Sequence, residues 1–356
     1  MIINYGFSLN GKSHISRGTG CQDAHKIKQL GNRWTIAAVA DGVGSATNSH
    51  IGSRIACDTV VDFCEQYMPY DYNAISIKSM IRTAFNYAMK MIYQQAESEG
   101  EPVESYDTTL SMVIYDGKRI IYGHSGDGAI LGLTGYGNYV EITTPQKGMD
   151  LISVLPLRSG YTHWVIDEYN EDLTAVLLMT DGILDTVCPY LLKFGEEKIY
   201  IPMAMFFGDP CCFGGSTDRQ DIEAFLNGEE DYCSDGFYSR LHKALAVRLS
   251  DTGKADAICD SIRKNNYPIV LMNSQQDDKT VVGLINTDAV TENQENCYYD
   301  EPDWIYLQEL WNRKAYPHLY QEEDSEEVAA EELVNEVIEE KPVKEGGLLN
   351  KVKRLL

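Results

Sequence analysis

Apolar residues recur along the chain with two different spacings. Residues 47–68 and 75–98 carry them every three or four positions, which predicts two amphipathic helices. From Thr108 onward the apolar runs are short and separated by polar turns, which predicts β-strands. The predicted strands are residues 110–115, 119–122, 129–133, 139–142, 162–166 and 174–179, with a first strand at 1–10 and a last strand at 280–285. The pattern therefore places a helical pair ahead of a strand-rich segment.

Aspartates stand at the edges of several predicted strands. An apolar run ends at Asp41, which Gly42 follows, and a second one ends at Asp181. The other acidic edge positions are Asp23, Asp127, Asp277 and Asp278. A charge at the end of a core strand is unfavourable unless it is compensated, and converging carboxylates repel one another unless cations hold them together. Ligand sets made of oxygen alone favour Mg²⁺ or Mn²⁺.

The order and spacing of these residues resemble the metal-dependent protein phosphatases of type 2C, the PPM family, and especially its bacterial branch. The matching elements are Asp23, Asp41-Gly42, Asp107-Thr-Thr-Leu, Ser125-Gly-Asp127, Thr180-Asp181-Gly182 with Asp185, and Asp277-Asp-x-Thr280. The resemblance spans residues 1–286. It implies an α+β fold, a four-layer αββα sandwich in which two antiparallel β-sheets are flanked by helices, with a metal cluster at one end.

The same resemblance implies a ligand set. The side chains that match the family's ligands to the two central metals are Asp23, Asp41, Asp181 and Asp277, and Gly42 matches a ligand that acts through its backbone carbonyl. Asp127 and Asp185, with Asp181, match positions that hold a third, weaker ion. Asp277 is chosen over Asp278 because the first residue of the corresponding family element is the ligand. The implied cofactors are two Mg²⁺ or Mn²⁺ ions, with a third left open.

A pair of divalent ions suggests a reaction. Two such ions close together can bridge a water and lower its pKa from about 15.7 towards neutrality. The hydroxide can then attack phosphorus in line, without a side-chain nucleophile. The resemblance therefore implies a protein-serine/threonine phosphatase that hydrolyses phosphoserine and phosphothreonine in a phosphorylated protein, opposite a cognate Ser/Thr kinase.

The residues that would handle the substrate phosphate depart from the family pattern. The family places an arginine five residues before the first ligand, where this chain has Gly18. Arg17, one step away, and His14 are the candidate phosphate-binding residues, and residues 147–160 are the candidate for a mobile flap. The departure keeps open an alternative function, a catalytically weak relative whose phosphatase-like fold serves as a binding or regulatory module.

Residues Gly6–Ser13 spell the P-loop pattern G-x-x-x-x-G-K-S, which makes a P-loop NTPase a remote alternative. That motif binds phosphates when a strand enters the loop and a helix follows, because the first helical amides surround the anion. Here Gly18 and Gly20 fall where the first helical turns would be. The sequence therefore argues against a P-loop.

Composition limits the partners and the compartment. The formal net charge of −24 over 356 residues argues against nucleic acid or an anionic membrane as a partner. The nine cysteines follow neither zinc-site spacing nor a disulfide framework, which favours free thiols in a reducing cytoplasm. No signal core and no apolar run near the roughly 20 residues of a membrane span are present, so the sequence predicts a cytoplasmic protein.

The sequence also predicts a division of the chain. Residues 1–286 form the PPM-type domain, with a long insertion-like segment at about 186–276. Residues 287–356 form an acidic, partly disordered tail that ends in a short basic amphipathic segment. Docking of a partner by this tail is the alternative to a purely solvating role.

Overall fold

The computed structural model describes residues 2–31, 34–148, 153–187, 206–207, 242–243, 246, 251–265, 276–292 and 303–320. Most of the predicted insertion-like segment 186–276, and the tail beyond residue 320, lie outside these residues, so the predictions made for them stay predictions. The chain divides into two compact units, and the described residues 303–320 belong to the second.

The first unit contains both strands and helices. In chain order they are β1 (Ile2–Leu9), α1 (Lys12–Arg17), β2 (Ala24–Leu30), β3 (Trp34–Ala40), α2 (Ser49–Tyr67), α3 (Ala74–Glu99), β4 (Leu110–Tyr115), β5 (Ile120–Ser125), β6 (Ala129–Thr134), β7 (Tyr139–Glu141), β8 (Val165–Tyr169), β9 (Leu173–Met179), α4 (Asp181–Val187), α5 (Thr252–Asn265) and β10 (Lys279–Asn286). Short 3₁₀ turns occur at Val103–Tyr106 and Leu157–Ser159. The second unit contains α6 (Trp304–Ala315), which begins at Asp303, and a 3₁₀ turn at Pro317–Leu319.

The strands form two five-stranded sheets, with orders β1-β10-β9-β6-β7 and β2-β3-β4-β5-β8. Every pairing among the described strands is antiparallel. The first sheet joins the two ends of the domain, because β1 pairs with β10 along its whole length. The predicted α+β class with two antiparallel sheets and flanking helices is confirmed.

Side chains from both sheets meet in a shared core. Val39 and Val113 of one sheet pack in the same buried cluster as Val176, Leu178 and Val282 of the other. Alternate residues point away from this core because successive side chains in a strand face opposite sides. Each sheet therefore has a second apolar face that needs a cover.

Helices α2 and α3 cover the outer face of the β2–β8 sheet. Ile36 and Ala38 of β3 share a buried cluster with Phe85 of α3 and with Trp164, whose ring centroid lies 5.4 Å from that of Phe85. A Cβ at Gly123 in β5 would lie 2.7 Å from the Phe85 ring, so this strand position requires glycine. Both helices agree with the predicted ranges 47–68 and 75–98 within a few residues.

The outer face of the other sheet is covered too. Leu131 and Leu177 are fully buried, and the hydroxyl of Tyr5 donates a 2.5 Å hydrogen bond to the carbonyl of Phe206. Residues 206–207 therefore lie against this sheet. No helix among the described residues combines the length and apolar composition that a membrane crossing needs.

Two short elements were not predicted. Strand β2 is a half-exposed edge strand in which Lys26 pairs with Asp58 and Asp62 of α2 at 3.0 and 2.7 Å, so it lacks the apolar run of an internal strand. Helix α1 follows β1 directly and ends at Gly18, whose φ of 70° is left-handed. A helix therefore does follow β1, although it has only six residues and ends at Gly18, one of the two glycines noted in the sequence.

Candidate metal centre

The strand register brings the separated aspartates to one end of the two sheets. Ala24 pairs with Ala40, so Asp23 at the start of β2 lies beside Asp41 at the end of β3. Met179 of β9 faces both Val281 of β10 and Ala129 of β6. Asp181 lies two residues after Met179, Asp127 lies two residues before Ala129, and Asp277 lies four residues before Val281. The antiparallel pairing therefore explains why residues far apart in sequence converge.

The carboxylates are close enough to share an ion. One carboxylate oxygen each from Asp41, Asp127 and Asp181 lies within 4.8 Å of the others. Asp23 is tied to the same region, because the hydroxyl of Thr180 donates to its Oδ2 at 2.8 Å. Thr180 Oγ1 also accepts a hydrogen bond from the amide of Thr280 at 3.2 Å, which joins the end of β9, the start of β10 and Asp23.

The electrostatics of the cluster disfavour ionised carboxylates when no cation is present. Burial, and next the charge of Asp278, raise the pKa of Asp23 to about 8. Burial, and next the charge of Asp127, raise the pKa of Asp181 to about 7. Burial and the charge of Asp23 raise the pKa of Asp41 well above its ordinary value. A divalent cation would remove this repulsion and restore the charged form.

The donor set fits a hard divalent ion. Asp23 Oδ1 is buried and has no hydrogen-bond donor among the described residues, which leaves it available to a cation. The cluster described above consists of carboxylate oxygens, the ligands preferred by Mg²⁺ and Mn²⁺. Gly42, which follows Asp41, has no room for a side chain, because an added Cβ would lie 2.7 Å from the carbonyl oxygen of Gln22.

The neighbours Asp277 and Asp278 have different environments. Asp277 is exposed, and its charge contributes to the raised pKa of both Asp41 and Asp181. Asp278 is 2% exposed and accepts hydrogen bonds from the amides of Gly11 at 2.7 Å and Gln22 at 2.5 Å. Asp278 therefore organises the backbone that leads to Asp23, a role that sequence reasoning missed.

The candidate phosphate-binding residues lie on α1. Arg17 is exposed at the end of this helix. His14 is buried, and its Nδ1 lies 2.8 Å from Asp278 Oδ1. The His14 side chain is thus directed towards Asp278, while Arg17 as a phosphate ligand stays a prediction.

The amides that a P-loop would offer to phosphate have protein partners. The amide of Gly11 donates to Asp278, and that of Ser13 donates to the carbonyl of Gln276 at 3.0 Å. Strand β1 is paired antiparallel with β10. The amides of Gly11 and Ser13 are therefore not available to bind a phosphate, which argues further against the P-loop alternative.

The residues predicted for a third ion have an additional neighbour. Asp127 is 7% exposed, whereas Asp185 on α4 is exposed. The ammonium of Lys147 forms an ion pair with Asp127 Oδ2. Burial would lower the pKa of Lys147, but the hydrogen bond to Asp127 and the charges of Asp127, Asp181 and Asp185 raise it overall.

The segment that follows Lys147 is anchored at its far end. The guanidinium of Arg158 donates to both oxygens of Asp107, at 2.7 and 2.8 Å. The amide of Leu157 donates to the carbonyl of Thr108 at 2.8 Å. Asp107 therefore has a structural partner, Arg158, in the predicted flap 147–160. Residues 149–152 of that flap lie outside the described residues.

Comparison with known proteins identifies the family of this chain. The sequence profile described as Protein phosphatase 2C matches residues 10–207, more than half of the chain. The chain therefore belongs to the protein phosphatase 2C family. No curated protein matches the chain in sequence.

Solved structures of phosphatases share the fold. A point variant of a bacterial serine phosphatase superposes with a TM-score of 0.50 at 13% identity, over 83% of this chain and 100% of that chain. The serine/threonine phosphatase Stp1 from Staphylococcus aureus gives 0.47 at 13% identity, over 80% and 95%. The catalytic domain of the serine threonine protein phosphatase PstP, in complex with 2 manganese ions, gives 0.44 at 15% identity, over 80% and 97%. At 13% identity the first likeness describes the fold alone.

Proposed function

We propose that this chain is a metal-dependent protein-serine/threonine phosphatase. The observation that carries the proposal is the convergence of buried and half-buried carboxylates from separate strand ends, with pKa values raised by burial and mutual repulsion. Structural ion pairs would not leave so many like charges together without cations. Family membership supplies the reaction class, hydrolysis of phosphoserine and phosphothreonine esters in a protein substrate.

The proposed ligands of two Mg²⁺ or Mn²⁺ ions are Asp23, Asp41, the Gly42 carbonyl, Asp181 and Asp277. When bound, such ions would lower the pKa of a water that can attack phosphorus, and their positive charge would stabilise the negative charge on the phosphoryl oxygens. The chain's own contribution is to hold these carboxylates in position. Thr180 orients Asp23 through its hydroxyl, and the amide of Asp41 donates to Thr109 Oγ1 at 2.9 Å, which fixes the end of β3.

The protein's negative charge does not prevent phosphate binding under this proposal, because bound cations would dominate the local field. The substrate would be a phosphorylated protein made by a Ser/Thr kinase. A second candidate, a catalytically weak binding or regulatory module, is favoured by the exposed position of Arg17 and by the engagement of His14 with Asp278. In that case the metal cluster would serve binding rather than turnover.

Phosphate release tests the proposal. The purified chain with Mn²⁺ should hydrolyse a chromogenic aryl phosphate and a phosphothreonine peptide, and should lose activity in EDTA. Asp41→Asn and Asp181→Asn should each reduce the rate by more than about 100-fold, since even residues behind the ligands are worth about 10–100-fold. Asp172→Asn is the matched control, because Asp172 is an exposed carboxylate paired with Lys118 at 3.0 Å.

Activity that survives both cluster substitutions would contradict the mechanism. A folded chain that binds Mn²⁺ and phosphopeptide without releasing phosphate would favour the binding module instead. A phosphotyrosine peptide of the same sequence tests the serine/threonine assignment, and faster release from it would contradict that assignment.

A further inference from the structure

Lys147 brings a protein-borne positive charge into the acidic cluster. Its ammonium forms an ion pair with Asp127, whose side chain is 8% exposed, while the Lys147 side chain keeps 37% exposure. Asp127 shares the cluster in which its carboxylate oxygen lies within 4.8 Å of oxygens of Asp41 and Asp181. The family resemblance assigns this same carboxylate to a third, weaker ion. A lysine ammonium and a divalent ion therefore have the same candidate partner.

The backbone next to Lys147 is held against the turn that carries Asp127. The amide of Gln146 donates to the carbonyl of Gly126 at 2.7 Å, and the amide of Gly126 donates to Gln146 Oε1 at 3.2 Å. Gln146 Nε2 also donates to the carbonyl of His163 at 2.9 Å. Lys147 itself forms a β-bridge with Val154. The ion pair thus rests on a fixed backbone rather than on a chance contact of a long side chain.

A tethered ammonium has an advantage over a free ion at a weak site. Its effective concentration at Asp127 is on the order of millimolar or higher, as for any group joined by a short linker. A divalent ion would have to displace the ammonium from Asp127, and its charge would then face Lys147 at close range. The ligand set proposed above for the two other ions does not include Asp127, so the ammonium acts on those ions only through its charge, which also faces Asp181.

We propose that Lys147 takes the place of the third cation, so that the centre binds one divalent ion fewer than its aspartates would otherwise allow. The inference rests on the proposed function only in assuming that the remaining aspartates hold divalent ions. It makes Lys147 a positioning residue for Asp127. The centre would then reach its full metal content without a weakly bound ion.

Manganese stoichiometry on the full chain tests the inference. Equilibrium dialysis against Mn²⁺, with free Mn²⁺ measured by electron paramagnetic resonance, counts the ions bound per chain. Lys147→Met should bind one more ion than the wild type, and Lys147→Arg, which keeps the charge, should bind the wild-type number. The added ion should be lost in the double variant Lys147→Met with Asp127→Asn. Lys118→Met, which removes an exposed lysine–aspartate pair at 3.0 Å, is the matched control and should leave the number unchanged.

Equal numbers of ions in the wild type and in folded Lys147→Met would overturn the inference, as would an added ion that persists in the double variant. Circular dichroism checks the fold of each variant, and Lys147→Gln replaces Lys147→Met if the latter does not fold. Failure of this inference can be distinguished from failure of the proposed function. A chain that binds no Mn²⁺ overturns both, whereas a chain that binds Mn²⁺ and releases phosphate with an unchanged count overturns only the role of Lys147.

Discussion

Without divalent ions, the protein should become less stable as pH rises from 7 to 8. Asp23, with a pKa of about 8 in the folded state, still holds a proton at pH 7, whereas the same carboxyl in the unfolded chain has an ordinary value of 3.8 and is ionised. The folded state therefore binds more protons than the unfolded state, and a rise in pH through the folded pKa removes that advantage. Asp41, whose pKa is also raised, acts in the same direction.

The expected size follows from proton linkage. Each proton held only by the folded state contributes about 1.4 kcal/mol to the free energy of unfolding per pH unit. Asp23 is mostly protonated at pH 7 and half protonated at pH 8 in the folded state, so it contributes a loss of about 1 kcal/mol, and with Asp41 acting in the same direction the total is on the order of 1–2 kcal/mol. For a domain this is a large part of a total stability of about 5–15 kcal/mol.

The chosen pH range separates these carboxyls from other groups. Burial lowers the pKa of His25 and lowers that of His124 to about 4, so both histidines act with the opposite sign, and mainly below pH 7. Burial raises the pKa of the Cys57 thiol well above its ordinary value of 9.0, so its unfolded-state ionisation matters mainly above pH 8. Burial also lowers the pKa of Lys279 to about 8, so this lysine opposes the aspartates, but it stays at least half protonated up to pH 8 and its effect is the smaller one.

The assay is urea unfolding in EDTA, followed by tryptophan fluorescence, since Trp34 and Trp164 are buried. Asp23→Asn should reduce the loss of stability between pH 7 and 8 by about 1 kcal/mol, because it removes a group that goes from mostly protonated to half protonated over that range. Excess Mn²⁺ should abolish or reverse the slope, because the ion binds the ionised carboxylates. Metal-free stability that is equal or greater at pH 8 than at pH 7 would refute the reasoning.

Two further substitutions test how the cluster is held. Gly42→Ala should destabilise the protein by about 1–3 kcal/mol in urea and weaken Mn²⁺ binding, because its Cβ would lie 2.7 Å from the Gln22 carbonyl oxygen. Gly123→Ala, which meets the Phe85 ring at 2.7 Å far along the sheet, is its control; equal Mn²⁺ affinity in both variants would count against a local effect at Gly42. Asp278→Asn should cost about 1–3 kcal/mol of unfolding free energy, because it removes the negative charge that two backbone amides share, and unchanged stability would exclude this organising role.

The fold was predictable where apolar periodicity was strong. Helices α2 and α3 bury one apolar stripe each, and β4 and β9 are buried along their whole length, so their patterns are distinct. Strand β2 was missed because it lies at a sheet edge and carries Lys26 and Lys28, whose charges pair with α2. Its strand character comes from pairing with β3, which only the tertiary structure shows.

The aspartates of the candidate site were found from their order along the chain, while their partners were not. Lys147 lies in a segment without a strong periodic pattern. Its contact with Asp127 depends on the hydrogen bonds between Gln146 and Gly126. The ion pair between Arg158 and Asp107 was not predicted either. Long-range pairs of charged side chains leave no local spacing in a sequence.

Asp277 and Asp278 have different environments, which their adjacent positions in the sequence motif do not reveal. Two adjacent carboxylates at the start of a strand face opposite directions, so at most one can point at the cluster while the other points into the protein. The buried carboxylate needs hydrogen-bond donors, and the amides of Gly11 and Gln22 supply them. Asp278 therefore fixes the backbone of the segment after β1 and of the residue before Asp23. The charge of the exposed carboxylate acts on Asp41 and Asp181, and its Oδ1 accepts a hydrogen bond from the amide of Asp278 at 2.9 Å. If Asp277 is the ligand and Asp278 the organiser, Asp277→Asn should reduce Mn²⁺ affinity with little effect on metal-free stability, and Asp278→Asn should do the reverse.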